Sequence, residues 1–242
     1  MRGKLQARQA RGAVLITAAL SGALALGWPL QAAAQASAAN SGPYPNKPIR
    51  LIVPFAPGGS TDLAARLVSE YGSRELGQAI VVENKPGAGG STGMEMVAKA
   101  APDGYTLGMA TVSTHGSNPA VYGSKLKYDP IKDFAPITNV ATTPSVFAVH
   151  PGVPVSSMKD FIARAKTQPG TLSYATPGTG SLGHANMAHL AALAQIDLLH
   201  VPYKGSGQAL NDALAGQVNA ITDNLPSALP HIKAGKLRAL VL

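Results

Sequence analysis

The sequence has 242 residues, no cysteine, an aromatic fraction of 5% and a formal charge of +8. The lack of thiols excludes disulfides, Cys-ligated metals and a lipid-anchored cysteine start. Basic residues are scattered and not interleaved with aromatics, which argues against a nucleic-acid surface.

Arg2, Lys4, Arg8 and Arg11 precede an uncharged apolar run over 13–26, and small residues follow around Ala32, Ala34 and Ala36. That order predicts a secretory signal peptide over residues 1–36, cleaved after Ala36 or, alternatively, Ala34. The apolar run is short for a membrane-spanning helix. Four basic residues leave with the signal, so 16 basic residues face 12 acidic ones and the net charge falls from +8 to +4. So mild a balance suits an anionic ligand but serves solubility equally well.

Residues 40–47 are rich in Pro, Gly and Asn and read as an arm without periodicity. A strand is predicted over 49–55, then a helix over 63–76 with Leu63, Leu67, Val68 and Tyr71 on one side and Gly77 as its stop. A strand over 79–83, a helix over 93–101 and a strand over 105–110 continue the alternation, which implies a mostly parallel sheet covered on both faces. Residues 135–150 form a long extended stretch that reads as a crossover between two lobes. Ser157, with Asp160 three positions on, opens the next helix in a capping-box arrangement. Strands over 172–176, 198–202 and 218–223 then alternate with helices over 182–194, 208–215 and 225–234. Two lobes imply a cleft, with the first over 37–134 and the second over 151–235.

Gly/Ser/Thr-rich loops recur after the strands: 56–62, 111–118 and 177–181. Gly permits close backbone approach, hydroxyls supply donors, and helix starts present unpaired N–H groups carrying partial positive charge. Loops at the carboxyl ends of parallel strands are where open α/β sheets hold ligands. Facing each other, such loops make an anion site without Arg or Lys.

Sharper enzymatic patterns fall short. Gly178-Thr179-Gly180-Ser181-Leu182-Gly183 fits a dinucleotide fingerprint, but no acid ends the next strand, where Tyr203 and Lys204 stand. Ser181 and His184 stand three apart at a helix start, but Ser181 is not set in a G-x-S-x-G elbow, which weakens a hydrolase built on it. His184 and His189 are five apart and on different faces of one helix, unlike a zinc pair. Residues 87–93 lack the Gly-Lys-Ser/Thr of a phosphate loop and read as a flexible loop on the cleft rim. Neither a metal nor a cofactor is expected.

Pro54-Phe55-Ala56-Pro57-Gly58-Gly59-Ser60-Thr61-Asp62 resembles the first binding loop of the Bug-type receptors, the extracytoplasmic solute-binding proteins of tripartite tricarboxylate transporters. Residues 81–90, 101–107, 174–181 with His184, 201–205 and 223–227 resemble that family in the same order, from Tyr44 onward. The resemblance implies an α/β, two-lobe periplasmic-binding-protein type II fold that closes on a small carboxylate. It implies a monomeric receptor, not an enzyme, that delivers its ligand to a membrane permease. Carried over residue by residue, Gly58, Gly59, Thr61 and Asp62 should form the first-lobe cradle and Ser113, Thr114 and His115 the lobe junction. Thr179, Gly180, Ser181 and His184 should form the second-lobe cradle. Asp62 is expected to cap the first helix, and Asp223 to orient a water or accept from an amino or hydroxyl group of the ligand. Residues 236–242 resemble the start of the family's second crossover strand, which implies a C-terminally truncated form of the fold. The competing reading is an exported α/β hydrolase-like enzyme that uses Ser181 and His184.

Overall fold

The computed structural model describes residues 42–242, so the expected signal peptide lies outside the described residues. Residues 42–46 belong to a separate N-terminal unit, in which Asn46 Nδ2 donates to the Gly42 carbonyl at 2.9 Å. Everything below concerns the unit Lys47–Leu242.

Strands β1 (Ile49–Val53), β2 (Ile80–Asn84) and β3 (Thr106–Gly108) make a parallel sheet of order β2-β1-β3. A central parallel strand is covered on both faces, and β1 answers with buried Ile49, Leu51, Ile52 and Val53. Its one charge, Arg50, reaches across to Glu83 of β2 with bonds of 2.6 and 3.0 Å. Helix α1 (Ser60–Leu76) packs on this sheet through Ala64, Ala65 and Val68. The expected apolar face is largely turned outward: Leu63, Leu67 and Tyr71 are 44%, 56% and 61% exposed. Close approach is the reason. A Cβ on Gly72 would lie 2.7 Å from Ile80 Cδ1, and at that separation small residues fit beneath the helix where leucines do not. After α2 (Ser91–Ala98) and β3, the expected loop is instead a π-helical turn over Ser113–Ser117 leading into α3 (Asn118–Tyr122).

The second sheet has the order β6-β5-β7-β4-β8. Its strands are β4 (Ser145–Val149), β5 (Ser173–Thr176), β6 (Leu199–Pro202), β7 (Ala220–Asn224) and β8 (Arg238–Val241). β5 runs parallel to β6 and β7, whereas β4 is antiparallel to both β7 and β8. The expectation of a mostly parallel sheet is met by β1, β2 and β3, and in the second sheet only the pairings of β4 depart from it. β4, read as the tail of the crossover, is an interior strand, because Val146-Phe147-Ala148-Val149 carries no polar side chain and is buried on both faces. Strand alternation sends Val146 and Ala148 into one core with Leu210, Ala213 and Ala228 from α6 (Ser206–Leu214) and α7 (Leu225–Lys233). Phe147 and Val149 join Phe161 and Met187 from α4 (Met158–Thr167) and α5 (Leu182–Ala194) in the other. Ser157 does cap α4, accepting the Asp160 N–H at 3.1 Å, while the Asp160 carboxylate reaches back to Ser156 rather than to the cap residue.

Candidate functional site between the two sheets

The loop leaving β1 ends at Gly59, the N-cap of α1, which has no side chain to satisfy the helix start. Asp62 in the first turn does the fastening. Its buried carboxylate accepts the Gly58 N–H at 3.1 Å, Arg66 Nε at 2.9 Å and Asn84 Nδ2 at 3.0 Å. Burial opposes ionisation, yet the bonds from Arg66, Asn84 and Gly58 outweigh it and hold the carboxyl below its ordinary value. The expected cap is thus a tie on the residue before the N-cap, and the Gly58 N–H is already engaged.

The loop between β5 and α5 is tied differently. Ser181 is buried and caps α5, its Oγ accepting the His184 N–H at 3.3 Å. The Gly180 N–H donates to His184 Nδ1 at 3.3 Å, and the Gly178 N–H to Thr176 Oγ1, also at 3.3 Å. His200 Nε2 of β6 sits 2.7 Å from Thr176 Oγ1. The two imidazoles stack with centroids 4.2 Å apart, and His200 lies over Tyr174 at 5.0 Å. Burial pushes His184 down, and burial together with the neighbouring His184 pushes His200 down to about 4.

The loops of the two sheets meet. The Ala56 N–H donates to the Lys204 carbonyl at 2.9 Å, the Leu182 N–H to Ser113 Oγ at 3.0 Å, and Tyr122 OH to the Thr179 carbonyl at 2.8 Å. Ser60 Oγ and Ser227 Oγ lie 2.8 Å apart. Such closeness needs glycine: Gly89 has φ 58, and a Cβ there would stand 2.5 Å from the Thr179 carbonyl oxygen. A cavity of about 210 Å³ remains between Gly87, Gly89, Gly178, Thr179, Tyr203 and Lys204.

The expected cradles do not face each other directly. Gly59 of the first cradle lies against Ser206 at the start of α6, and Thr61 follows it into the first turn of α1. Thr179 and Gly180 face Gly89, Asn118 and Tyr122. Of the expected junction trio, Ser113 reaches the opposite sheet, whereas Thr114 is wholly buried and its carbonyl accepts the Tyr128 hydroxyl at 2.5 Å. The His115 ring packs on Phe134 at 4.7 Å, with Nδ1 held 2.9 Å from Thr114 Oγ1. Asp223 is 5% exposed, and both oxygens accept hydroxyls, from Ser206 at 2.5 Å and Ser227 at 2.6 Å. Burial raises its carboxyl despite those two bonds.

Sequence reasoning passed over Ser206, Gly207 and Tyr122, and put the 87–93 loop on the rim. Gly205-Ser206-Gly207 has the same Gly/Ser composition as the loops it did single out, which was a usable signal. Asn118 closes the 111–118 loop that was singled out, though not as a site residue. It is wholly buried, Nδ2 donates to the Gly89 carbonyl at 3.1 Å, and Oδ1 has no hydrogen-bond partner among the described residues.

Residues 64–242 match the model of the tripartite tricarboxylate transporter family receptor. The chain belongs to that family. It is similar to the protein BugT of Bordetella pertussis, with 39% identity over 201 residues, 82% of this chain and 61% of BugT. A solved periplasmic transporter is 54% identical at a TM-score of 0.80, over 82% of this chain and 66% of its own. Two Rhodopseudomonas palustris structures, MatC with bound malate and a second protein with adipate, are each 36% identical at a TM-score of 0.78. Each match covers 82% of this chain, and 67% and 66% of the two structures respectively. The chain thus spans roughly 60% of the length of the curated relatives it matches, 62% and 61% for two of them. The two-lobe α/β fold of periplasmic binding proteins is the architecture it shares with them.

Proposed function

We propose that this protein is a periplasmic solute-binding receptor that captures a small carboxylate between its lobes and delivers it to a tripartite tricarboxylate-type permease. The observation that carries this reading is the meeting of Gly/Ser/Thr loops from both sheets around one cavity with no acidic side chain in its lining. Backbone N–H groups and helix starts favour an anion there. MatC with malate and the adipate-bound relative support a carboxylate ligand in this family. In this reading residues 1–36 are the export signal. Residues 37–134 and 151–235 are the lobes, and 135–150 and 236–242 the crossings between them. β4 and β8, paired side by side, are the ordered parts of those crossings. Binding at both lobes favours the closed form by differential affinity, and the closed form is what a permease meets.

Ser181 and His184 support the receptor over the hydrolase. Their hydrogen bond is the helix cap, and His184 Nδ1 is engaged by Gly180, so serine and imidazole are not arranged as nucleophile and base. Calorimetry of the folded protein against malate, adipate, citrate, aromatic acids and acidic amino acids tests the proposal. Saturable one-to-one binding of one of these acids, released unchanged, is expected; a folded protein that binds none of them defeats it.

A further inference from the structure

Within residues 176–181 only short hydroxyls brace the loop, and the two stacked imidazoles complete the bracing from outside it. His184 Nδ1 accepts the Gly180 N–H, so that nitrogen carries a lone pair and the ring proton sits on Nε2. His200 Nε2 holds Thr176 Oγ1, which in turn receives the Gly178 N–H. Between these two ties stands Thr179, whose carbonyl takes the Tyr122 hydroxyl from the opposite lobe. One residue beyond, the start of α5 meets Ser113.

We propose that His184 and His200 are positioning residues: while both rings are neutral they hold the second-lobe loop in its binding shape, and a proton on either ring releases it. The inference rests on the receptor reading above and adds acid-sensitive capture to it. A proton on His184 Nδ1 turns an acceptor into a donor aimed at the Gly180 N–H, which forces the loop apart. At a ring separation of 4.2 Å, a charge on one imidazole also opposes a charge on the other. The groups facing the pair are Tyr174 of β5 beneath His200, Thr176 at its edge, and Tyr122 of α3 beside Gly180. Among the described residues no carboxylate is bonded to either ring to offset a proton. Burial favours the neutral form of both rings, so the hold is complete above about pH 6.5 and weakens from there toward about 4.

The test compares the wild type with His184→Asn, whose carboxamide oxygen stands near the place of Nδ1 and does not titrate. Malate and adipate are the probes, by calorimetry from pH 7.5 to 5. Each protein's affinity at pH 7.5 is its own reference, so the comparison reads the change with pH and not the starting value. Below about pH 6 the wild type should lose up to about tenfold more affinity per pH unit than the variant, which keeps only the titrations of His200 and of the ligand itself. His184→Ala should be weak throughout, with the shallow slope of His184→Asn. Equal slopes for wild type and His184→Asn overturn the proposal.

Ring nitrogen NMR of the wild type decides independently of any ligand, and of a variant that fails to fold. An Nε2–H tautomer for His184 at pH 7.5, with coupled displaced transitions of both rings, supports the proposal. An Nδ1–H tautomer, or an undisplaced transition near pH 6.5, overturns it. Correct tautomers with no binding of either acid would count against the receptor reading and leave the bracing intact.

Discussion

The loops over residues 56–62 and 176–184 share a composition and, in the proposed receptor, a task, but they are made rigid by opposite chemistry. The first is tied by a buried ionised carboxylate: Asp62 gathers Gly58, Arg66 and Asn84. The second is tied by neutral groups, two imidazoles and the hydroxyls of Thr176 and Ser181. A carboxylate tie persists well below neutrality, whereas an imidazole tie needs its lone pair. Acid therefore loosens one side of the cleft before the other. A Gly-rich loop buries too little apolar surface to fix its own shape, so the identity of its tie decides the conditions under which it is a site.

The largest effect is expected at the first tie. Asp62→Ala leaves the Gly58 N–H without its acceptor and Asn84 Nδ2 with only the Phe55 carbonyl, at a 3% exposed position, and should cost about 3 kcal/mol in a urea melt. Partial exposure of Arg66, which can turn to water, keeps the figure from going higher. Because the folded carboxyl lies below its ordinary value of 3.8, the ionic contribution is complete above about pH 4 and is lost as pH falls through the folded value. Asp62→Asn should accordingly show a shallower acid loss of stability below pH 4 than the wild type. An identical acid slope would mean that the carboxylate tie is replaceable and the contrast between the loops unfounded.

Gly207→Ala comes next and acts on closure rather than on either loop. A Cβ there would collide with the Pro57 carbonyl across the junction, a contact present only when the lobes meet. Overpacking of this kind costs about 2 kcal/mol, so carboxylate affinity should fall about thirtyfold while the melting temperature barely moves. Affinity at the wild-type level would show that the closed arrangement is not the binding one.

How far this was legible in the sequence follows from where the information lies. The α5 boundaries, Leu182–Ala194, were read correctly because a capping Ser precedes a proline-free stretch that ends in a run of Ala and Leu. The outward face of α1 was not. Gly72 carries the explanation, and a glycine tells periodicity nothing about the strand that will press on it. β4 was missed for a related reason: a buried strand of five residues without alternation resembles any apolar stretch until its partners are known. In the candidate site, residue chemistry singled out loops that the structure brings to the junction of the two sheets, but not which loop opposes which. Thr114 and His115 share the composition of Ser113, and their inward direction depends on the π-helical turn and on Tyr128 and Phe134 arriving from farther along the chain.

A smaller and purely structural effect provides a control. Ser157→Ala removes the N-cap of α4, on the far side of the second sheet's core from α6 and α7. About 1 kcal/mol of stability, or roughly 3 °C in melting temperature, should be lost with carboxylate affinity unchanged. Weaker binding in this variant would imply that global stability limits the site and would dissolve the distinction between loop ties and general packing.

Ser60→Ala should have the smallest effect, and its sign is set by the direction of the hydroxyl chain. Ser227 donates its one proton to Asp223 at 2.6 Å, so at the 2.8 Å contact Ser60 is the donor and Ser227 the acceptor. Removing Ser60 strands no donor, and Ser227 keeps its bond to the carboxylate. The contact lies at a partly buried edge, where water can replace the lost hydroxyl, so closure should weaken by about 0.5 kcal/mol, roughly a twofold loss of affinity. A tenfold loss would reverse the assignment: Ser227 would then be donating to Ser60, with Asp223 itself carrying the proton, as its burial favours. In that case binding would fall as pH rises through the raised carboxyl value, a dependence opposite in sign to that of the imidazole pair, and the pH profile of the Ser60 variant would separate the two.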